Sequence, residues 1–327
     1  QIDMYVNSMV RSVTTNEEGK ATGVSYINKD DKKEYKLKGK VVVLAASACS
    51  SARILLNSKS KQHPNGLGNS SDIVGKYLHD STGGGRMAFI PELMDRKIYN
   101  EDGVGGMHVY SPWWLDNKKL NFPRGYHIEV WGGMGAPSYG TGFNVNAFNK
   151  FFGIPVGGYG DVLRKDMRKY YGSLIGMDGR GESIAMKSNY CEIDPNQVDE
   201  YGVPTLRFNY KWTEHEVKQA EHMQNTFEEV IHNMGAIALG NKADKSSNFG
   251  LTKPGEIIHE VGTTRMGNDS KTSVVNEFEQ LHDVSNVFVV DAGPFVSQAD
   301  KNPTWTIMAL AWRSSDYIID QFKKQNF

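Results

Sequence analysis

Cysteine is scarce: the 327-residue sequence holds only Cys49 and Cys191, far apart, with no CxxC pair and no Cys/His spacing suited to a metal. A single disulfide between them stays open, and the pair says little about compartment. Long apolar runs are missing as well. The longest, residues 41–46 and 307–312, fall far short of the ~20 residues needed to cross a bilayer. There is no excess of either charge, because 37 Lys+Arg face 38 Asp+Glu, interspersed along the chain. That balance leaves no electrostatic footprint for nucleic acid and points to a small molecule or another protein as partner. Nor does the sequence contain a GxSxG elbow, a Walker loop or a GxGxxG turn; the glycine clusters at residues 83–85 and 103–106 have the wrong spacing.

What is present is globular: 39% apolar and 23% charged residues, enough chain for about two domains and unlike a disordered tail or a coiled coil. Met9, Val10 and Val13, then Val24, Tyr26 and Ile27, flank a polar stretch at residues 14–19 and predict two strands joined by a turn. Nothing before them resembles a targeting segment, and the chain reads as entered in mid-fold, which implies further sequence upstream. After a charged turn, Val41-Val42-Val43-Leu44 is a continuous run of the kind buried on both faces of a sheet. It opens into Ala45-Ala46-Ser47-Ala48 and a helix from about Ser51 to Asn57.

From Ser81 the texture changes to Gly-rich turns between aromatic, alternating segments, and it reverts near Glu256. His127, Glu129 and Trp131 alternate with Tyr126, Ile128 and Val130, while Leu206, Phe208, Tyr210 and Trp212 alternate with Arg207, Asn209 and Lys211. Both patterns predict antiparallel strands with one face buried. Thr213-Glu214-His215-Glu216 is a capping box opening a helix, with Ala220, Phe227 and Ile231 on its apolar face and Gly235 at its end. Val287-Phe288-Val289-Val290 is a second buried-type strand, ending in Asp291, and Asn302-Pro303-Thr304 leads into a closing helix.

Three features could carry chemistry. Asp291 is a carboxylate at the end of a buried strand, followed by Ala292-Gly293, where a cofactor could pass close to backbone. Asn302-Pro303 starts a helix whose first N–H groups can accept negative charge. His259 lies in His259-Glu260-Val261-Gly262-Thr263-Thr264-Arg265-Met266-Gly267; a zinc HExxH helix is excluded because Thr263 stands where the second His would be. Taken singly, each reads first as an ordinary turn cap, helix start or surface or core histidine.

Taken in order, these segments resemble the glucose–methanol–choline (GMC) family of flavin-dependent oxidoreductases. The strand and helix from Val41 to Leu56 look like the family's strand-turn-helix before the substrate domain. Residues 259–267 look like its H-x-x-G-T-x-R-M-G loop, Val289-Val290-Asp291-Ala292 like its flavin-contacting strand end, and Asn302-Pro303-Thr304 with Ala309-Leu310-Ala311 like its final N-P-T helix. Within the family, the similarity runs to flavoprotein subunits of bacterial gluconate dehydrogenase and glucoside 3-dehydrogenase. Two departures stand out: Ser47 occupies a position where most members have Gly, and the N-terminal GxGxxG half is absent from this sequence.

The resemblance implies an α/β flavin-binding domain, incomplete in this chain, at residues 1–80 and 255–327, interrupted at residues 81–254 by an α+β substrate-binding domain with an antiparallel sheet. It implies FAD as cofactor and oxidation of an alcohol group, on a sugar or sugar acid, by hydride transfer to flavin N5. By the same carry-over His259 is the base and Asn302 its partner, while Val10, Ala45, Ala46, Ser51, Asp291, Ala292, Asn302, Pro303 and Thr304 contact the cofactor. A dehydrogenase is favoured over an oxidase. The implied partners are a sugar or other alcohol substrate, an N-terminal FAD-binding segment or chain, and an electron-acceptor subunit such as a cytochrome; the implied location is periplasmic. The aromatic segment from Trp113-Trp114 to Trp131 suits stacking on a sugar face, or ordinary packing. The competing reading is a non-catalytic fragment or binding module that lacks a complete FAD site.

Overall fold

A computed structural model describes residues 2–95, 108–112, 117–132, 159–170 and 172–327. The polar stretch after Thr15 turns the first apolar alternation back on itself, so that β1 (Ser8–Thr15) pairs antiparallel with β2 (Ala21–Asn28). A strand then stands where the charged turn was expected: β3 (Glu34–Lys38) pairs with β2 and is exposed along its whole length. Its Lys and Glu residues are the charges that keep an edge strand from pairing further.

The continuous run gives β4 (Val42–Leu44), and the small residues after it release the chain into α1 (Ala48–Asn57). There follow β5 (Thr82–Phe89), β6 (His108–Pro112), β7 (Tyr126–Gly132), α2 (Asp161–Tyr170) and β8 (Leu174–Gly181). Next come β9 (Tyr190–Val198), β10 (Pro204–Asn209), α3 (Glu214–Asn233), β11 (Ile237–Leu239), β12 (Val287–Val289) and α4 (Thr304–Lys323).

Four sheets result: β1-β2-β3, β12-β4, β9-β10, and a five-stranded sheet in the order β11-β5-β8-β7-β6. The two buried-type runs meet in parallel, with Val42, Val43 and Leu44 opposite Val287, Phe288 and Val289. Around them, Val13, Leu44, Leu55, Val74, Val275 and Val287 form one core. A second core lies between the five-stranded sheet and α3, built on Tyr126, Ile128, Met177, Met223 and Phe227. The capping box forms as expected. The Thr213 hydroxyl accepts the His215 N–H, Glu216 accepts the Thr213 N–H at 2.7 Å, and Gly235 continues the chain past the helix at φ 63°.

Three expectations are corrected. The alternation at Leu206–Trp212 ends as a strand at Asn209 and pairs with β9 alone, outside the large sheet. β7 is not one-sided, because Tyr126 and Ile128 are buried on one face and His127 and Glu129 on the other. The run Val41-Val42-Val43-Leu44 is not buried on both faces, because Val43 is exposed, whereas Val287, Phe288 and Val289 are fully buried, Phe288 against the rings of Tyr317 and Phe327. Among the described residues, no helix is long and apolar enough to cross a membrane.

Candidate functional site

The segment from His259 to Met266 is stitched to the end of β12. Gly262 N–H donates to the Ala292 carbonyl at 3.2 Å, Thr264 N–H to Gly293 at 3.0 Å and Met266 N–H to Pro294 at 2.8 Å. The Thr263 hydroxyl adds a bond to the Ala48 carbonyl, 2.6 Å, at the start of α1. Gly262 is required here by its surroundings: its φ is 97°, and a Cβ would lie 2.3 Å from the Tyr77 carbonyl oxygen. Two segments that look unrelated in sequence thereby become one wall.

His259 itself is half-buried, and its backbone N–H donates to Asp80 Oδ1 at 3.0 Å. Burial lowers its pKa, the positive charges of Arg180 and His127 lower it further, and Glu129 opposes them. The balance favours the neutral imidazole. Its Nδ1 is buried with no hydrogen-bond partner among the described residues. Asp80 is buried too, and burial followed by the charge of Glu260 pushes its carboxyl up to about 6.

Asp291 sits behind this wall. Ser51 Oγ donates to its Oδ2 at 2.5 Å and Gly293 N–H to its Oδ1 at 2.8 Å, while Ala46 N–H reaches Ser51 Oγ at 3.2 Å. Burial raises the Asp291 pKa, and these bonds, with those from the Ala46 and Ser47 backbone, offset part of that. Ala292 is buried, whereas Ala45 and Ala46 stay exposed beyond β4. Ser47 adopts φ 84°, ψ 156°, a conformation that suits the Gly most members have here and costs a side-chain-bearing residue; nothing in the structure explains the Ser. Val10 packs instead from β1 into the first core, opposite Tyr26.

Asn302 is exposed at the mouth of α4, and Pro303 is the N-cap with no side-chain cap. The first bond inside the helix is Ile307 N–H to the Pro303 carbonyl, 3.0 Å, so the amides of Thr304, Trp305 and Thr306 precede the ladder. Ile307 and Leu310 pack α4 against Ala48, Val261, Ala292 and Phe295, which sets the helix start beside the His259 wall.

Sequence reasoning missed a charged cluster facing this wall. His127 on β7 is fully buried; its Nδ1 lies 3.1 Å from Asp300 Oδ2 and its Nε2 3.3 Å from Glu129 Oε1. Arg180 on β8, cross-strand from His127, approaches Glu129 and Asp178 at 3.9 Å each, and Lys301 Nζ is 2.7 Å from Asp300. Burial disfavours charge on His127, but its bonds to Asp300 and Glu129 outweigh that and raise its pKa. The alternation along β7 did put His127 and Glu129 on one face; nothing local says that residue 300 closes over it.

Both cysteines are free; the Cys49 thiol is pushed up by its hydrogen bond with Cys191 and by burial, which makes it a poor nucleophile. Cys49 lines a cavity of about 430 Å³ shared with Asp80, Tyr210 and Glu260. Trp113 and Trp114 lie outside the described residues.

Comparisons with known proteins place the chain in a family. The chain is 29% identical to 2-methyl-1,2-propanediol dehydrogenase of Mycolicibacterium austroafricanum, over 98% of this chain and 55% of that protein. It is 26% identical to the gluconate 2-dehydrogenase flavoprotein of Pantoea cypripedii, over 97% and 50%. The chain thus spans about half the length of the curated relatives it matches. Formate oxidase from Aspergillus oryzae has the same fold, with a TM-score of 0.65 at 12% identity, over 97% of this chain and 60% of that one. Residues 3–82 match the N-terminal and residues 187–311 the C-terminal GMC oxidoreductase domain, the second match holding His259, Asp291 and Asn302 together. The chain belongs to the GMC oxidoreductase family.

Proposed function

We propose that this chain forms the C-terminal part of an FAD-dependent oxidoreductase that oxidises an alcohol group on a sugar, sugar acid or related polyol, with His259 as the base. The observation that carries the reading is the convergence of a neutral, half-buried His259, the Asp291 strand end and the open start of α4 on one wall. The residues fit a flavin. Thr264 Oγ1 is a buried hydroxyl with no partner among the described residues, left for a bound group, and Gly293 packs directly against it, where a Cβ would sit 2.3 Å away. FAD, when bound, supplies the N5 atom that takes the hydride.

The chain's own groups do the rest. A neutral imidazole accepts the hydroxyl proton at Nε2, the ring nitrogen opposite the buried Nδ1. Asn302 holds the alcohol oxygen by its side-chain amide without competing for that proton. The leading amides of α4 offer partial positive charge to whatever anionic group lies against them. Ser51, Asp291 and Ala292 shape the backbone edge of the cofactor site together with Ala45, Ala46, Pro303 and Thr304.

A dehydrogenase is favoured over an oxidase by its similarity to the two dehydrogenases, and an N-terminal FAD-binding segment and an electron-acceptor subunit belong to the same proposal. The test is anaerobic addition of sugars, sugar acids and simple diols to the flavin-loaded protein. Bleaching of the flavin band by at least one of them is expected once the N-terminal FAD-binding segment is supplied; a flavin that no alcohol reduces, or a protein that takes up no flavin even with that segment present, would overturn the reading.

A further inference from the structure

The His127–Asp300 contact joins two parts of the chain that are far apart in sequence. His127 belongs to β7 of the five-stranded sheet, whereas Asp300 belongs to the segment that runs from β12 into α4. Both are at least nine-tenths buried, and the segment between β12 and α4 has little regular structure to fix it otherwise. Gln298 Nε2 donates to the Lys301 carbonyl at 3.1 Å and Lys301 Nζ to Asp300, so residues 298–301 are braced as a unit, with Ala299 at φ 57°. Asn302 is the next residue. His127 also lies within electrostatic reach of His259, so the contact is close to His259 and two residues along the chain from Asn302.

We infer that His127 is a positioning residue: by gripping Asp300 it holds residues 298–302 against the sheet and sets Asn302 in register with His259. The inference rests on the role proposed for Asn302 and adds to it the part of the fold that fixes that residue. Glu129 holds the other edge of the ring, so His127 is fixed at both nitrogens and cannot swing away from Asp300 without breaking a second bond. A buried, paired imidazole–carboxylate contact of this kind confers geometry more than stability.

The test uses the flavin-loaded protein and two readouts. Amide exchange should rise at residues 299–302 in His127→Phe and Asp300→Ala, with the rest of the sheet unchanged, while His127→Gln, which keeps a donor for Asp300, should keep the protection. In rapid flavin reduction, His127→Phe should lower the limiting rate about 10-fold or more, with little change in apparent substrate affinity, as expected of misplaced reacting groups. It should cost nothing further in an Asn302→Ala background, because the two changes remove one arrangement. Unchanged exchange at residues 299–302, or rate losses that multiply in the double variant, would overturn the inference. If His127→Phe does not fold, Asp300→Ala set against His127→Gln carries the same comparison. Should no alcohol reduce the flavin, the proposed function fails, and the exchange readout alone decides whether the grip exists.

Discussion

His259 can accept a proton only while neutral, and the groups around it extend the pH range in which it is. Burial and the charge of Arg180 hold its pKa below the ordinary histidine value, so the rate of flavin reduction should fall with decreasing pH only below about 6.5. Arg180→Gln removes one of the lowering charges and should move that limb upward; a limb that stays in place would show that Arg180 does not act on His259. Glu279 offers a separate check on stability. It is fully buried, accepts Ser314 Oγ at 2.7 Å, and burial pushes its pKa up to about 7. The folded state thus binds this proton more tightly than the unfolded chain does, so stability is lost as pH rises from the unfolded value of about 4.3 through the folded one. Glu279→Gln should therefore raise the melting temperature at pH 8 and leave it nearly unchanged at pH 4. Equal effects at both would refute the assignment.

Elements differ in how far they could be read from sequence. β4 and β12 were legible as paired strands because continuous apolar runs favour the inside of a sheet, although Val43 on β4 stays exposed, and α3 because its cap is local chemistry. β3 was not, since its Tyr35 and Leu37 alternate with the charges of an exposed edge and read as a turn. Of the candidate site, His259, Asp291 and Asn302 were marked by motif, but His127 and Asp300 were invisible because a long-range contact leaves no spacing behind. The segment that carries His259 also shows how tightly an element can be specified. Gly262→Ala would put a Cβ 2.3 Å from the Tyr77 carbonyl and 2.7 Å from His79 Nδ1 at a positive φ. It should destabilise the fold by about 1–3 kcal/mol in thermal or denaturant unfolding, the usual cost of such strain. A substitution tolerated without loss would mean that the wall is loosely held.

At the scale of the whole molecule, α4 is the conspicuous surface. Of its 20 residues only Ser314 is buried, while Trp305, Met308 and Trp312 are 84%, 61% and 75% exposed along with Val43 on β4. Surface of that kind invites association. Expressed alone, residues 1–327 should aggregate readily and bind FAD weakly, and a strand–GxGxxG–helix segment supplied in the same polypeptide or in a second chain should restore flavin binding. A stable, monomeric, active protein from these residues alone would contradict that expectation. The central claim, that this wall oxidises an alcohol with His259 as its base, is tested most directly by stopped-flow reduction of the bound flavin in His259→Ala. The account predicts an unchanged fold and flavin content, with reduction slowed by about 10²–10⁴-fold; reduction at the wild-type rate would contradict it.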